Sequence, residues 1–428
     1  MENFSSESEQ EKLQIPDYLA AEIIDRMGAS GLPPEKGIEY VTVGLGDTLN
    51  VLEKEYLKPM AAGRRGSAFK LIKGSFGFGK THFLICLRNL ARRHGYLTAF
   101  TELSLKGCSF GDASSIYRFL AAGITAPPAE DDPYDEGLCG LGAILRTFAI
   151  LNDEPDARRK LINKLKTSSM DLSYRSVAAE FFNSIWCEDE AMADACEMWL
   201  SGKSSGRLKL RSVTISEGIC EGNATAMLRS MVQLLLMCGY PGIAALFDEV
   251  DRVASGTHRD VKRIVDNMRQ FIDTCGRPDF KGVFWAFAVP PEFISNVVAE
   301  YPALQQRLNS PRQFSAVSPQ VPTIDLAFLG RGTELFSELG RRIARVAESA
   351  WGAEFEEDAL SANLDNFINY YAENNLDSGQ RRGFVKSWIA ILQSLRLEPD
   401  KVIDLEAVLS QEEEVEAEAA EADDFVDF

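Results

Sequence analysis

The sequence predicts an α/β fold: a P-loop NTPase with a parallel sheet core, a large helical insertion and a C-terminal helical lid domain. Three observations predict it. A glycine-rich loop, Gly74-Ser75-Phe76-Gly77-Phe78-Gly79-Lys80-Thr81, follows a short apolar strand and opens an amphipathic helix. A second apolar run, Gly242 to Phe247, ends in Asp248-Glu249. The two are about 165 residues apart, and most of that interval has helical periodicity.

The chain's 428 residues suffice for two or three domains, and 45% apolar with 25% charged residues is the balance of a globular protein with a real core. The longest apolar stretch, Met231 to Phe247, is interrupted by Gln233 and by Gly239-Tyr240-Pro241-Gly242, so no membrane span is expected. The opening residues are acidic and polar, unlike a secretory signal or transit peptide, and a cytoplasmic protein is expected. Eight scattered cysteines form no CxxC pair, and three histidines make no cluster with zinc spacing, as expected of a reducing compartment. The formal charge is −19; Gln411 to Phe428 holds nine acidic residues and no basic one, and removing those nine charges leaves −10. Contact with nucleic acid therefore requires a local basic face.

Residues 1–14 read as a disordered leader. A helix is expected over Asp17–Met27, stopped by Gly28 and the Gly31-Leu32-Pro33-Pro34 loop. Ile38 to Val43 alternates like a strand, and Gly44 to Asp47 starts a helix carrying Leu49, Val51, Leu52 and Leu57. Ala68–Ile72 is the strand before the glycine-rich loop. There, glycines let backbone N–H groups converge on phosphates, and the helix that follows adds its positive end. Lys80 reaches the β- and γ-phosphates, the Thr81 hydroxyl ligates Mg²⁺, and His82 completes the expected ATP cradle. The helix Thr81–His94 buries Phe83, Leu84, Leu87 and Leu90, ends in Arg92-Arg93-His94 before Gly95, and leads to a strand over Leu97–Leu103.

The Asp248-Glu249 ending has the Walker B form of AAA+ ATPases. Asp248 is expected to hold Mg²⁺ through water and Glu249 to act as general base on the attacking water. The insertion is expected over about 107–219, with helices at Ser114–Ala122, Leu138–Leu151, Asp156–Lys166, Ser176–Cys187 and Glu190–Leu200. Arg158, Arg159, Lys160, Lys164 and Lys166, and then Lys203, Arg207, Lys209 and Arg211, are candidate contacts for DNA or a partner. Next come a helix over Arg259–Thr274, a strand over Gly282–Val289, a helix ending near Leu308 and a proline-punctuated linker, Ser310–Pro322. The expected domains are an ATPase domain over 15–310, a helical lid over 311–402 with a winged-helix form as one option, and an acidic disordered tail over 403–428.

With these residues in place, the chain resembles the BREX-associated AAA+-like ATP-binding proteins of bacterial phage defence, in particular their short, BrxD-type members. BrxC carries a related module. The resemblance covers most of residues 15–400 and rests on GLPPEKGIEYVTVG, GSFGFGKTHFL, MWLSG (198–202), GYPGIAALFDEVDR, YPALQQRL (301–308) and RRGFVK (381–386). It implies an AAA+-like fold of the origin-recognition type, with nucleotide contacts at Gly74, Gly79, Lys80, Thr81, Asp248 and Glu249. It makes Arg307 a γ-phosphate sensor or a finger toward a neighbouring copy, and Arg382 a sensor in the lid. Family members tend to carry a threonine before the proline of the 288–292 strand end; this chain has Val289. Implied partners are other defence components, a helicase among them, DNA through the basic patches, and further copies of the chain. Two readings stay open: an ATPase coupled to DNA or to a partner, and a nucleotide-gated switch or scaffold with negligible hydrolysis and no DNA contact.

Overall fold

The computed structural model describes residues 15–102, 111–128, 134–204, 206–250, 257–329, 332–374, 381–399, 401–403 and 405. The expected leader and nearly all of the acidic tail lie outside the described residues. The chain divides into two compact units. One comprises residues 1–47, 74–86 and 326–428, the other residues 48–73 and 87–325.

The second unit contains the sheet. Seven strands are described: β1 (Ala68–Lys73), β2 (Leu97–Glu102), β3 (Leu208–Lys209), β4 (Thr214–Ile215), β5 (Ile243–Asp248), β6 (Val283–Val289) and β7 (Thr323–Asp325). Five form one parallel sheet in the order β2-β5-β6-β1-β7. β5 and β6 are buried along their whole length, which is why both read as unbroken apolar runs rather than alternating ones. Lys73 is in register with Val289 and Asp325, Phe247 with Phe287 and Glu102 with Asp248, so all five strands end on one edge. Ring stacking strengthens the middle of the sheet: Phe247 lies 4.8 Å from Phe287, and Phe69 lies 5.2 Å from Phe287.

The helices expected in the insertion occur as Ala113–Gly123, Leu141–Leu151, Pro155–Thr167, Leu172–Trp186 and Glu190–Leu200. The fourth begins four residues before the expected start because Asp171 caps it, accepting from the N–H groups of Ser173 and Tyr174. Arg146 joins the second of these helices to the last, donating to Glu190 and Glu197 at 2.9 and 2.7 Å. The antiparallel pair β3–β4 and the short strand β7 were not expected.

The first unit is helical. Asp17–Ser30 ends at Gly31 (φ 62°) and packs against Thr333–Trp351 and Arg381–Leu397. Phe336, Phe367, Tyr371, Phe384 and Trp388 form its aromatic core, and the Trp388 indole donates to Gly340 O at 2.9 Å. Among the described residues after Asp325 there is no strand.

One expected element is different in kind. Ile38–Val43 is not a strand; Ile38–Val41 is a 3₁₀ turn. Its two buried residues, Ile38 and Val41, are three apart and so fall on one side of a helix with three residues per turn. The Thr42 hydroxyl closes the turn by donating to Ile38 O at 2.7 Å.

Candidate functional site

β1 ends at Lys73, and Gly74 opens the loop. A Cβ at Gly74 would lie 3.3 Å from Leu326 Cδ1 and 3.4 Å from Lys80 Cγ, so even alanine crowds this turn. Phe78 N–H donates to Ser75 O at 3.2 Å, folding the loop back on itself. Gly77 and Gly79 have φ of 78° and 84°, values that residues with a side chain adopt only under strain. The helix Lys80–Arg93 follows at once, and Phe83 N–H donates to Gly79 O at 2.9 Å. Its first turn presents N–H groups that lack intrahelical acceptors, at the positive end of the helix dipole. Lys80 arches back over the loop, with Nζ 3.0 Å from Gly74 O and 3.2 Å from Ser75 O. N–H groups, an ammonium and a helix N-terminus are the donor set a polyphosphate requires.

His82 is tied to the segment before the loop. Its Nε2 lies 2.9 Å from Thr42 Oγ1, which also lies 3.2 Å from Cys86 Sγ. With its hydroxyl hydrogen directed at Ile38 O, Thr42 Oγ1 is placed to accept from a neutral His82 ring carrying its proton on Nε2. Burial first, and then the charge of Arg381, lower the His82 pKa to about 4. His82 thus carries no charge at neutral pH. Arg342 holds the same segment by donating to Thr42 O at 3.0 Å.

The arginines divide in an unexpected way. Arg382 lies with its guanidinium carbon 5.0 Å from the Phe76 ring centroid. Its neighbour Arg381 is the one beside the loop base: its Nη1 is 3.7 Å from where a Cβ on Gly79 would be, and its Nη2 donates to Leu329 O at 2.9 Å. Periodicity could have flagged this pair, since successive helical residues point about 100° apart and only one of two can face a given spot. Arg307, in the second unit, is bidentate to Asp273 at 2.6 and 2.9 Å and donates a third N–H to Ala303 O.

In the second unit, Asp248 ends β5 with 2% of its surface exposed. Its Oδ1 accepts the N–H of Glu249 at 2.9 Å. Glu249 has φ of 53°, a left-handed conformation rare for a residue with a side chain. Val289, at the end of β6, is fully buried. The carboxylate of Asp248 is a hard oxygen donor of the kind Mg²⁺ takes, as is the hydroxyl of Thr81 in the first unit.

Each of the two basic segments is partly paired within the protein. Arg158 pairs with Asp153, and Arg211 with Glu180 and Asp189 at 3.3 and 2.8 Å. Lys160, Lys164, Lys166, Lys203, Arg207 and Lys209 are exposed, and among the described residues none has an ion pair. No helix among the described residues is long and apolar enough to cross a membrane.

The sequence model of the BREX system ATP-binding protein BrxC/D family matches residues 15–132 and 151–412. The chain belongs to this family. A search of curated proteins returned no match. Membership assigns this BREX protein ATP binding and a place in phage defence, and the α/β structure with its five-stranded parallel sheet is consistent with a P-loop NTPase-like fold. Within the family match lie the glycine-rich loop, Asp248-Glu249, Arg307 and the Arg381-Arg382 pair.

Proposed function

We propose that this BREX protein hydrolyses ATP with Mg²⁺ and couples turnover to DNA or to another defence component, such as a helicase. The observation that carries this reading is the strand ending Asp248-Glu249. A buried carboxylate is followed by a glutamate in a conformation that costs roughly 1–3 kcal/mol and persists only where its surroundings impose it. The turn separates two roles: Asp248 holds Mg²⁺, and Glu249 accepts the proton of the attacking water. The bound ion would neutralise charge on the β- and γ-phosphate oxygens. Lys80 and the N–H groups from Gly74 to Thr81 grip the phosphates. The nearness of Arg381 to Gly79 favours it over Arg382 as the arginine that senses the γ-phosphate. Arg307 could act on a neighbouring copy only after leaving Asp273.

The unpaired cations at Lys160, Lys164, Lys166, Lys203, Arg207 and Lys209 support contact with a phosphate backbone despite the acidic whole. Val289 favours a second reading. A hydrocarbon at the end of β6 offers no hydrogen bond, and a chain that hydrolyses little ATP would act as a nucleotide-gated switch or scaffold without DNA contact. ATP turnover, measured with and without single- and double-stranded DNA, separates the two. Lys80→Ala is expected to weaken binding, and Glu249→Gln to keep binding and stop turnover. Wild-type turnover no faster than that of Glu249→Gln would leave only the second reading.

A further inference from the structure

We propose that Phe76 and Arg382 form a latch that holds the apex of the phosphate loop to the helix Arg381–Leu397, so that the affinity of the loop for ATP depends on that helix.

Phe76 is a large apolar side chain in a loop otherwise rich in glycine, and 73% of it is exposed. An exposed phenyl ring contributes nothing to a core. This one instead offers its π face to a cation, and the guanidinium carbon of Arg382 lies 5.0 Å from the ring centroid. The stem of Arg382 is also constrained. A Cβ on Gly31 would lie 2.3 Å from Arg382 Cγ and 2.9 Å from Arg382 O, so the side chain runs over a position where only glycine leaves room. Gly31 is itself left-handed, with φ of 62°, and ends the helix Asp17–Ser30. Arg382 is therefore seated at its base by a glycine and spent at its tip on the loop's ring.

Arg381, one residue earlier, lies toward the loop's other end, its Nη1 3.7 Å from where a Cβ on Gly79 would be. The two arginines thus bracket the glycine-rich turn. A loop with glycines at 74, 77 and 79 has a large backbone entropy to lose when its N–H groups converge on phosphate. Holding its apex in advance removes part of that loss, which raises affinity without adding a contact to the ligand. By linkage, bound ATP tightens the latch in return and stabilises the helix that carries Arg382. Arg382 is in this view a positioning residue that acts through Phe76.

The inference rests on ATP binding at this loop, so the experiment has two arms. Hydrogen–deuterium exchange of the full chain without nucleotide reads the latch alone. Arg382→Ala and Phe76→Leu are each expected to speed exchange of the peptide covering residues 74–82, while Phe76→Tyr, which keeps the π face, leaves it as in wild type. Titration with Mg·ATP reads the consequence. Each disruptive single variant is expected to weaken binding about fivefold, and the double variant no more than either single. Unchanged exchange in Arg382→Ala, or losses of affinity that multiply in the double variant, would overturn the latch. Wild-type protein that bound no ATP would overturn the nucleotide reading and the affinity claim with it; the exchange arm would still decide whether the ring and the arginine hold the loop.

Discussion

Thr42 Oγ1 and His82 Nε2 lie 2.9 Å apart, joining the 3₁₀ turn Ile38–Val41 to the first turn of the helix that follows the glycine-rich loop. The hydroxyl also donates to Ile38 O and lies beside Cys86 Sγ, so one oxygen serves three partners. His82 directly follows Thr81, and the orientation of the helix start therefore depends on a residue far ahead of the loop.

Thr42→Val keeps the shape and removes that oxygen. With His82 N–H left buried and unpaired, a loss of about 1–3 kcal/mol is expected, together with weaker ATP binding, while Thr42→Ser restores both. Thermal denaturation and Mg·ATP titration check this. A valine variant as stable as wild type would show that the contact does not hold the segment.

His82 also predicts a pH dependence. Its folded pKa is about 4 against an ordinary 6.5. Between those values the unfolded chain binds a proton that the folded chain refuses, so stability declines as pH falls from about 6.5 to about 4 and the decline ends below that. The full effect is on the order of 3 kcal/mol. Urea denaturation of wild type and His82→Gln across this range should give a steeper loss for wild type; parallel curves would contradict the assignment.

Gly242 has φ of 153°, and a Cβ there would sit 2.2 Å from Gly282 O. Since Gly242 directly precedes β5, Gly242→Ala must push that strand away from β6. A destabilisation of roughly 3 kcal/mol or more is expected, seen as a lower urea midpoint. Wild-type stability would mean that the backbone relaxes at little cost.

Arg307 and Arg381 should behave differently. The Arg307–Asp273 pair is largely exposed, with side-chain exposures of 31% and 43%, and such pairs contribute about 0–1 kcal/mol. Arg307→Ala should therefore leave stability and the ATP affinity of a single copy nearly unchanged. Arg381→Ala should weaken Mg·ATP binding about tenfold, or roughly 1.4 kcal/mol. Equal effects in a calorimetric titration would remove the distinction.

Replacing Lys160, Lys164 and Lys166 by alanine should lower DNA affinity and flatten its dependence on salt by about two to three units of slope if all three meet phosphates. Fluorescence anisotropy at several salt concentrations reads this directly. An unchanged slope would remove this helix from any DNA contact.

The two motifs were legible in the sequence because each is made of contiguous residues whose backbone does the work. Gly77 and Gly79 do adopt positive φ, and the apolar run Gly242 to Phe247 does become a buried strand ending at Asp248. The insertion's helices were legible from their periodicity, to within a few residues at the ends. Ile38–Val43 misled because so short a run of buried positions suits either a strand or a 3₁₀ turn, and the bond from Thr42 to Ile38 decides between them. β7 escaped notice because three residues carry no pattern; it exists because β1 offers it an edge.

The sequence by itself determined the glycine-rich loop, the buried acidic strand end and the family, all of them encoded in short runs. Only the tertiary structure decided which arginine approaches Gly79, what Arg307 is spent on, and that Thr42 belongs with His82. Each of these depends on the rotational phase of a helix or on residues far apart in the chain, and that phase is set by packing, such as that of Phe384 and Trp388 in the aromatic core, rather than by any local preference.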